Sequence, residues 1–415
     1  MRILFLTQIL PYPPNAGPRV KTWQVLKHLA QAGHQIHLVS FVREDEIEFV
    51  PIVSEICEKT ITVHMRRKRI NDLFYGIKSI FSGKPFLVER DNLPEMKNAI
   101  RKLISENDYD VIHADQLSMA QFAWQAQQLV KKEKNRDIPR LLFDAHNATW
   151  TIMDRMQTHI PSIMKPLLLL EKMKIRNYEG WLVDHFDHTL AVSEIDSYAL
   201  QTDSKNKKNA NISVIPIAVD TKTLIPIHSS ISSFQLLTIG TLHYPPNADG
   251  IRWFINEVFP TVLKEIPQAT LTVIGKNPPR DFYELAKTYS PAIEITGYVA
   301  DLTPYLEKAA ILIVPVLAGG GMRVRILEGF SRQLAIITTT VGLEGIDAVN
   351  NKDVIVRDNP IDFSQAIIQL INNRSQLQQI ALSGRKLVES KYDWKVVFEK
   401  LDFVYQNINK AKADE

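Results

Sequence analysis

A glycine-rich segment between two apolar stretches has the composition of an anion-binding turn. Three glycines at positions 319–321 follow a predicted buried strand, Ile311–Val316, and precede a predicted amphipathic helix. Glycines let the backbone come close to a ligand, and the first turn of a helix offers unpaired N–H groups to an anion. A plain tight turn between a strand and a helix has the same sequence pattern, so both interpretations stand.

Charged side chains follow these glycines at short intervals. Arg323 and Arg325 are predicted in the first turn of the helix, where cations interact unfavourably with the helix dipole unless an anion is bound. Glu328, one turn further, can accept hydrogen bonds from sugar or ribose hydroxyls. These residue types indicate a pocket for a phosphorylated, hydroxyl-rich ligand, while a solvated face is the alternative for the arginines.

The segment resembles the donor site of glycosyltransferase family 4, which comprises retaining, nucleotide-sugar-dependent enzymes of the GT-B fold. The resemblance implies that Glu328 holds ribose hydroxyls. Glu328 matches the second glutamate of a pair that family members usually carry, and the first would stand where this chain has Gly320. A branch of the family has Gly-Gly-Gly at this place. Gly320, Gly321 and Met322 are then expected in the donor site, with backbone N–H groups of the latter two on the sugar hydroxyls.

The composition is that of an ordinary globular protein with two domains. Hydrophobic residues make up 45% and charged residues 23% of the 415 residues, and the chain is long for a single core. A net charge of +3 does not favour nucleic acid as a partner. The single cysteine, Cys57, excludes an internal disulfide framework and fits a reducing cytoplasm.

Two series of alternating strands and helices predict an α/β protein. Residues 2–9 form an apolar strand, and a helix at Lys21–Ala32 leads to the strand IHLVSFV, which implies a parallel sheet. Further helices are predicted at Leu117–Lys132 and Pro161–Val183, and Ser193 is a predicted helix cap. The second series runs through FQLLTIG, TLTVIG, IEITGYV, ILIVPV and AIITTT, which have the continuous apolar character of buried parallel strands.

The predicted fold is therefore GT-B, with two Rossmann-like, doubly wound parallel-sheet domains facing across a cleft. We expect an acceptor domain at 1–215, a linker at 216–232, a nucleotide-sugar donor domain at 233–390 and a terminal helix at 391–415 that crosses back. Ligands bind at the carboxyl ends of the strands in such sheets, so the active site is expected in the cleft.

In the N-terminal half, three residues follow predicted strands on the ligand side. The resemblance implies that Gly17 approaches the donor diphosphate and the acceptor, and that His146 faces the donor sugar. Arg19 is a candidate partner for an anion or the acceptor, and a plain Pro/Gly loop is an equal alternative at this position.

In the C-terminal half, the loop GTLHYPPNADG departs from the family pattern. Many members carry an arginine and a lysine that bind the diphosphate, where this chain has Thr241 and Asn247. The two arginines after the glycine turn are then the expected source of positive charge. Gly240 and Asn247 remain expected in the donor site, and Gly275 and Tyr298 are expected near the base and ribose.

Two groups of residues could suggest a metal and are interpreted as structural. Asp108 and Asp110 precede a strand, at the end opposite the ligand side, and His185 and His188 also precede a strand without convergent partners. No metal and no cofactor are therefore expected.

A basic segment followed by an apolar helix could contact a membrane. Arg66, Arg67, Lys68 and Arg69 are contiguous, and apolar residues recur behind them at helical spacing: Leu73, Phe74, Ile77, Ile80 and Phe81. Such a pattern can mark an element that binds an anionic membrane surface, and a domain helix with a solvated start is favoured over it by a small margin. The N-terminal apolar run ends at Pro11, too soon for a signal peptide, and no apolar run reaches the ~18 residues of a membrane span. The expected location is the cytoplasm, and peripheral contact with the inner membrane face is left open.

The favoured function is metal-independent transfer of a sugar from a nucleotide-diphosphate-sugar to a hydroxyl of a sugar or lipid-linked acceptor. Arg323, Arg325 and the helix N-terminus would stabilise the departing diphosphate. The resemblance implies retention of anomeric configuration, in cell-surface polysaccharide or glycolipid synthesis. A non-catalytic nucleotide-sugar-binding protein of the same fold and a nucleotide-sugar epimerase are the alternatives.

Overall fold

The chain forms two units in a computed structural model that describes residues 1–14, 17–65, 69–133, 136–156, 161–205, 210–227 and 233–413. Unit 1 comprises Met1–Ile217 with Val397–Glu415, and unit 2 comprises Ala218–Val396. The change of unit between Ile217 and Ala218 falls within the predicted linker at 216–232.

Unit 1 contains seven strands and nine helices of its own among the described residues. The strands are β1 (Arg2–Thr7), β2 (Gln35–Val42), β3 (Lys59–His64), β4 (Val111–Asp115), β5 (Arg140–Ala145), β6 (His188–Ala191) and β7 (Ile212–Val214). The helices are α1 (Gly17–Gln31), α2 (Val50–Ser54), α3 (Arg69–Ser82), α4 (Phe86–Arg90), α5 (Pro94–Glu106), α6 (Ala120–Val130), α7 (Thr149–Met156), α8 (Lys165–His185) and α9 (Glu194–Asp203). Short 3-10 helices cover Glu44–Phe49 and Ser162–Met164.

Unit 2 repeats this alternation of strands and helices. Its strands are β8 (Gln235–Ile239), β9 (Thr270–Ile274), β10 (Ile293–Gly297), β11 (Ala309–Val314), β12 (Ala335–Thr338) and β13 (Ile355–Val356). Its helices are α10 (Pro245–Trp253), α11 (Phe259–Glu265), α12 (Arg280–Thr288), α13 (Thr303–Lys308), α14 (Val324–Ser331), α15 (Thr340–Leu343), α16 (Pro360–Asn372) and α17 (Arg374–Lys391), with a π-helical turn at Phe254–Val258. The last helix, α18 (Trp394–Ala413), begins in unit 2, and its residues from Val397 group with unit 1.

Both sheets are parallel and doubly wound, which confirms the predicted fold class. The strand order is β3-β2-β1-β4-β5-β6-β7 in unit 1 and β10-β9-β8-β11-β12-β13 in unit 2. Every neighbouring pair runs parallel. The chain reverses its direction of strand addition between β1 and β4 and between β8 and β11. A crevice at the carboxyl ends of these strand pairs is where such sheets bind ligands.

Each sheet is buried by helices on its faces, because its strands are apolar along their length. In β11, all six residues are buried, as expected for a central strand covered on both sides. Separate apolar cores form in the two units.

Some helix boundaries differ from the predictions. The helix α1 begins at Gly17, earlier than the predicted Lys21, because Pro18 is compatible with the first turn of a helix. The segment predicted as one helix at Pro161–Val183 consists of a 3-10 turn followed by α8, which has Pro166 in its first turn. Ser193 caps α9 as predicted, since its side chain accepts a hydrogen bond from the N–H of Asp196. No helix within the described ranges is long and apolar enough to cross a membrane.

Candidate active site

In unit 1, His146 and Asp115 meet at the carboxyl edge of the sheet where the strand order reverses. Asp115 ends β4, and His146 follows β5. The Nε2 atom of His146 lies 2.8 Å from Oδ1 of Asp115, and the carboxylate is fully buried. A carboxylate accepts hydrogen bonds only, so this contact places a proton on Nε2 of His146. The Nδ1 atom of His146 is buried and has no partner within the described part of the chain.

The Asp115 carboxylate is held from several sides. The hydroxyl of Thr7, at the end of β1, donates to Oδ2 at 2.8 Å. The hydroxyl of Thr22 in α1 donates to the same oxygen at 3.0 Å. Because the acceptor is fixed by two adjacent elements, the ring of His146 is fixed with it. In its neutral form, His146 offers a free lone pair on Nδ1 to a ligand.

A second buried carboxylate lies beside this pair. Asp144, in β5, forms an ion pair with Lys21 of α1, and both side chains are buried. Nε2 of His113 in β4 lies 3.6 Å from Oδ2 of Asp144, and its Nδ1 lies 2.7 Å from the hydroxyl of Tyr405 in α18. Burial opposes ionisation of Asp144, but the Lys21 ammonium, with His113 beside it, holds the pKa of the Asp144 carboxyl well below the usual range.

These side chains also have the residue types of a metal site. One ligand atom each from His113, Asp115 and Asp144 lie within 4.8 Å of one another. However, the ammonium of Lys21 already pairs with Asp144, and Asp115 accepts from neutral donors and from His146. A divalent cation would have to displace the Lys21 ammonium at a large electrostatic cost, so the donor set fits a charge-balanced network better than a metal.

Gly17 and Arg19 lie close to the same edge of the sheet. Gly17 is the first residue of α1, after the loop that follows β1. Arg19 forms an ion pair with Glu46, whose other carboxylate oxygen accepts the N–H of Arg43 at 2.9 Å. The charge of Arg19 is thus balanced within unit 1, and its binding of an anionic acceptor stays a prediction.

In unit 2, Arg325 lies at the corresponding reversal point, between β8 and β11. Its Nη1 donates to the carbonyl of Ile239 at 3.1 Å, and its Nη2 donates to Oδ1 of Asn247 at 2.9 Å. The Nδ2 of Asn247 donates to the carbonyl of Thr241 at 3.2 Å, which is consistent with this orientation of the amide. The Nε of Arg325 is buried without a partner among the described residues. Burial, with repulsion from Arg323, lowers the pKa of Arg325 to about 10, so the group remains a cation at neutral pH.

Asn247 therefore holds Arg325 in place, and its own contact with the donor stays a prediction. Many family members carry a cation at position 247 that binds the diphosphate. This chain has an amide there, and the amide orients the Arg325 cation of α14 instead. This contact was not predicted because it joins residues 78 positions apart.

Two predicted donor-site glycines make room for these groups. A Cβ on Gly240 would lie 2.7 Å from Nη1 of Arg325, so a larger residue here would displace the guanidinium from this position. A Cβ on Gly275 would lie 1.8 Å from the carbonyl oxygen of Gly240. The loops after β8 and β9 thus pack against each other at the edge where Arg325 lies.

The glycine turn is closed by Arg323 itself. Arg323 is the N-cap residue of α14, so it lies just before the first turn rather than within it. Its Nη1 donates to the carbonyl oxygens of Gly320 and Gly321. Gly319 and Gly321 have φ of +94° and +86°, which favour glycine because a side chain would be strained there. Arg323 thus shapes the turn, and its contact with a diphosphate stays a prediction.

The remaining predicted donor-site residues lie around this turn or at neighbouring strand ends. Met322, directly after the turn, is buried, and Glu328 is exposed on α14 next to the buried Ile326 and Leu327. Tyr298 follows β10 and is 65% exposed, with Nζ of Lys276 at 4.4 Å from its ring centroid. Among the four basic residues predicted to face a membrane, Arg66, Arg67 and Lys68 lie outside the described residues, and the Arg69 backbone begins α3.

Two sequence models of glycosyltransferase domains match the chain in tandem. The one described as Glycosyltransferase Family 4 matches residues 17–223, and the one described as Glycosyl transferases group 1 matches residues 233–373. The two matches correspond to the two doubly wound sheets.

Relatives and solved structures agree with these matches. An "Uncharacterized 44.6 kDa protein in cps region" of Klebsiella pneumoniae is 23% identical over 96% of this chain and 98% of its own length. The "Capsular polysaccharide biosynthesis glycosyltransferase CapM" of Staphylococcus aureus is 26% identical over 30% of this chain and 33% of its own.

Sucrose-phosphate synthase from Thermosynechococcus elongatus has a TM-score of 0.70 at 16% identity, covering 99% of this chain and 100% of that one. HepE from Anabaena in complex with UDP has a TM-score of 0.68 at 11% identity, covering 98% and 100%. At these identities, the two structures show the fold alone.

The paired sheets and the domain matches define a glycosyltransferase of the GT-B type. The chain carries a Glycosyltransferase Family 4 domain followed by a Glycosyl transferases group 1 domain.

Proposed function

We propose that this glycosyltransferase moves a sugar from a nucleotide-diphosphate-sugar to an acceptor hydroxyl with retention of anomeric configuration and without a metal. The observation that carries the proposal is the Arg325 guanidinium. It is oriented by Ile239 and Asn247 at the reversal point of the unit 2 sheet and has a buried Nε without a described partner. A planar cation held in this way suits the two negatively charged phosphates of a nucleoside diphosphate.

The proposed reaction exchanges one bond at the anomeric carbon for another. The bond from that carbon to the diphosphate oxygen breaks, and a bond to the acceptor oxygen forms on the same face of the sugar. The departing phosphate oxygen takes the proton of the acceptor hydroxyl. Negative charge grows on the diphosphate during this step, so Arg325 and the N–H groups at the start of α14 would stabilise the transition state more than the bound donor.

In this proposal, His146 binds a hydroxyl of the donor sugar and so orients the sugar. Its Nδ1 lone pair is buried and unpartnered among the described residues, while Asp115 fixes the proton on Nε2. A hydroxyl of the donor sugar can donate to this atom. His146 would then orient the sugar and would not act as a nucleophile.

The comparisons supply the biological context of the proposal. HepE of Anabaena has structures in complex with UDP and with UDP-glucose. One relative lies in a cps region and another acts in capsular polysaccharide biosynthesis. We therefore place the chain in the synthesis of a cell-surface polysaccharide or glycolipid, with a nucleotide-diphosphate-sugar as donor and a sugar or lipid-linked hydroxyl as acceptor.

The test uses the purified full chain with UDP-, GDP- and ADP-sugars, with and without EDTA and a lipid-linked acceptor extract. Release of one nucleoside diphosphate, accelerated by acceptor and insensitive to EDTA, is the expected result. Proton NMR of the product then reports whether the anomeric configuration of the donor is kept. An inverted product would overturn retention, and loss of turnover with EDTA would overturn metal independence. Binding of no donor would overturn the role of Arg325.

A further inference from the structure

Two neighbouring helices of unit 1 expose apolar residues to solvent. On α3, five residues are 49–88% exposed: Leu73, Phe74, Ile77, Ile80 and Phe81. In the 3-10 turn before α8 and in the first half of α8, six residues are 41–89% exposed: Ile163, Met164, Leu167, Leu169, Leu170 and Met173. We call these eleven residues the α3/α8 surface.

An ordinary surface helix packs its apolar side against the protein, whereas α3 exposes its apolar side to solvent. Its apolar residues recur at spacings of three and four, so they share one side of the helix. Ser79, on the opposite side by the same periodicity, is buried and accepts a hydrogen bond from Nζ of Lys174 in α8 at 2.5 Å. The polar side of α3 therefore faces the protein, and the apolar side faces outwards.

Hydrogen bonds tie α8 to α3 and to α4, which follows α3, so the two segments that carry the exposed apolar residues lie side by side. Besides Ser79 and Lys174, Oε1 of Glu171 in α8 accepts the N–H of Phe86 at the start of α4, at 2.5 Å. Large exposed apolar areas on a single protein mark an interaction surface.

The charge of these segments indicates the kind of partner. Residues 66–84 contain six Lys or Arg and one Asp, and residues 162–176 contain four Lys or Arg and one Glu. Together they carry +8, and since the whole chain carries +3, the other residues carry −5. Three of these cations pair with carboxylates outside the segments, which reduces the local excess from +8 to +5: Lys78, Lys172 and Arg176 pair with Glu89, Asp154 and Asp203. Lys84 and Lys165 are exposed beside the apolar residues.

We propose that the α3/α8 surface docks on an anionic lipid bilayer, with its apolar side chains among the acyl chains and its cations at the headgroups. Combined apolar insertion and attraction to anionic lipids is the usual basis of interfacial binding by amphipathic helices. The negative remainder of the protein would be repelled from the same surface, so binding has one preferred orientation. A symmetric pair of copies is disfavoured, because it would place two equal positive surfaces against each other.

The proposal goes beyond sugar transfer and can fail independently of it. Vesicle binding is measured without donor or acceptor, so a protein that ignores vesicles but transfers sugar would overturn only this inference. A protein that binds vesicles but no nucleotide would overturn only the proposed function.

The experiment is co-sedimentation of the full-length protein with vesicles of phosphatidylcholine alone or with about one third phosphatidylglycerol, at low and high salt. We expect binding to the anionic vesicles at low salt, with affinity falling at least about tenfold for phosphatidylcholine alone or at high salt. The double variant Phe74→Ser/Phe81→Ser on α3 and the double variant Leu167→Ser/Met173→Ser on α8 should each lose at least about tenfold.

A matched control replaces exposed apolar residues elsewhere. Ile361 and Phe403 are 68% and 64% exposed, so Ile361→Ser/Phe403→Ser makes the same chemical change away from the surface. This control should keep the vesicle affinity of the original chain. Equal binding by all three double variants, or no binding to anionic vesicles at low salt, would overturn the proposal. A dimer that the α3 variant dissociates would assign the surface to a second copy and would also overturn it.

Discussion

The Nε2 atom of His146 lies 2.8 Å from Oδ1 of the buried Asp115, and this hydrogen bond determines which ring nitrogen remains free. Asp115 receives further hydrogen bonds from Thr7 and Thr22, so the acceptor cannot turn away. The orientation of the His146 ring, and with it the direction of the Nδ1 lone pair, is therefore set by residues at the ends of β1 and β4 and in α1. Asp115 is a positioning residue in this arrangement, and His146 is the group that would meet the sugar.

Replacing Asp115 by Asn should lower kcat at least about tenfold, or about 1.4 kcal/mol, while the affinity for free nucleoside diphosphate stays unchanged. The amide of Asn no longer determines the proton position on His146, and nucleotide contacts are proposed to come from unit 2. The kcat and the nucleotide dissociation constant are measured separately.

A double-variant cycle distinguishes positioning from a general structural role. Asp115→Asn should add little to the loss caused by His146→Ala, since both act through the same ring. Asp110→Asn is the matched control, because Asp110 precedes the same strand and its Oδ2 accepts the N–H of Arg2 at 2.8 Å. Additive losses for Asp115 and His146, or an equal loss for Asp110→Asn, would contradict the positioning role.

Replacing Arg325 by Ala should weaken nucleoside diphosphate binding about 10- to 150-fold, the range expected for hydrogen bonds to charged groups worth about 1.5–3 kcal/mol. Arg325→Lys should recover only part of this loss, because lysine keeps the charge but cannot bond Ile239 and Asn247 in a fork. Titration calorimetry with UDP, GDP and ADP measures the effect. Arg332→Ala removes a cation from the other end of α14 and should leave the affinity unchanged, so an equal loss there would argue against a specific role.

Alanine at three glycines should give three different results. Gly240→Ala brings a Cβ to 2.7 Å from Arg325 and should displace the guanidinium, lowering nucleotide affinity with little change in stability. Gly275→Ala meets the backbone oxygen of Gly240 and should destabilise by about 1–3 kcal/mol. Gly76→Ala, in α3, meets nothing within 4 Å and should stabilise by about 0.5–1 kcal/mol. Thermal midpoints and calorimetry report both properties, and a stability loss at Gly240 equal to that at Gly275 would show that Arg325 cannot move aside.

The fold could be predicted because short sequence segments by themselves indicate its strands and helices. Continuous apolar strands such as β11, separated by amphipathic helices, require parallel sheets covered on both faces, and the structure has them. Boundaries were less predictable where a turn conformation decides them. Arg323 was expected in the first turn of a helix, but its extended backbone (φ −92°, ψ 95°) makes it the N-cap residue.

The partners of the site residues could not be predicted from one sequence. The position of His146 after a strand was visible, whereas Asp115, which orients it, was not selected although it also ends a strand. Asp108 and Asp110 drew attention instead because of their spacing. Lys21 was even less visible, since a lysine in an amphipathic helix is expected in solvent, and only its pairing with Asp144 explains its burial.

The last prediction concerns a buried carboxyl that supports the segment after His146. Glu179 of α8 is fully buried, and its Oε1 accepts the N–H of Thr149 at 2.7 Å at the start of α7. Burial raises the pKa of Glu179 to about 8, from an ordinary value near 4.5. The folded protein therefore holds a proton that the unfolded chain releases between these two values, and by linkage the stability from Glu179 is complete below about pH 4.5 and is lost as the pH rises through about 8.

Glu179→Gln removes this titration while keeping an amide oxygen for the N–H of Thr149. As the pH rises from about 5.5 to about 8.5, we expect the thermal midpoint of the variant to increase relative to that of the original chain. For a unit of this size, each kcal/mol corresponds to about 2–4 °C. Glu194→Gln, on the exposed first turn of α9, is the matched control and should show no such divergence. If the Glu179→Gln and original midpoints keep a constant separation over this pH range, Glu179 carries the same charge in the folded and unfolded states, and the raised pKa is wrong.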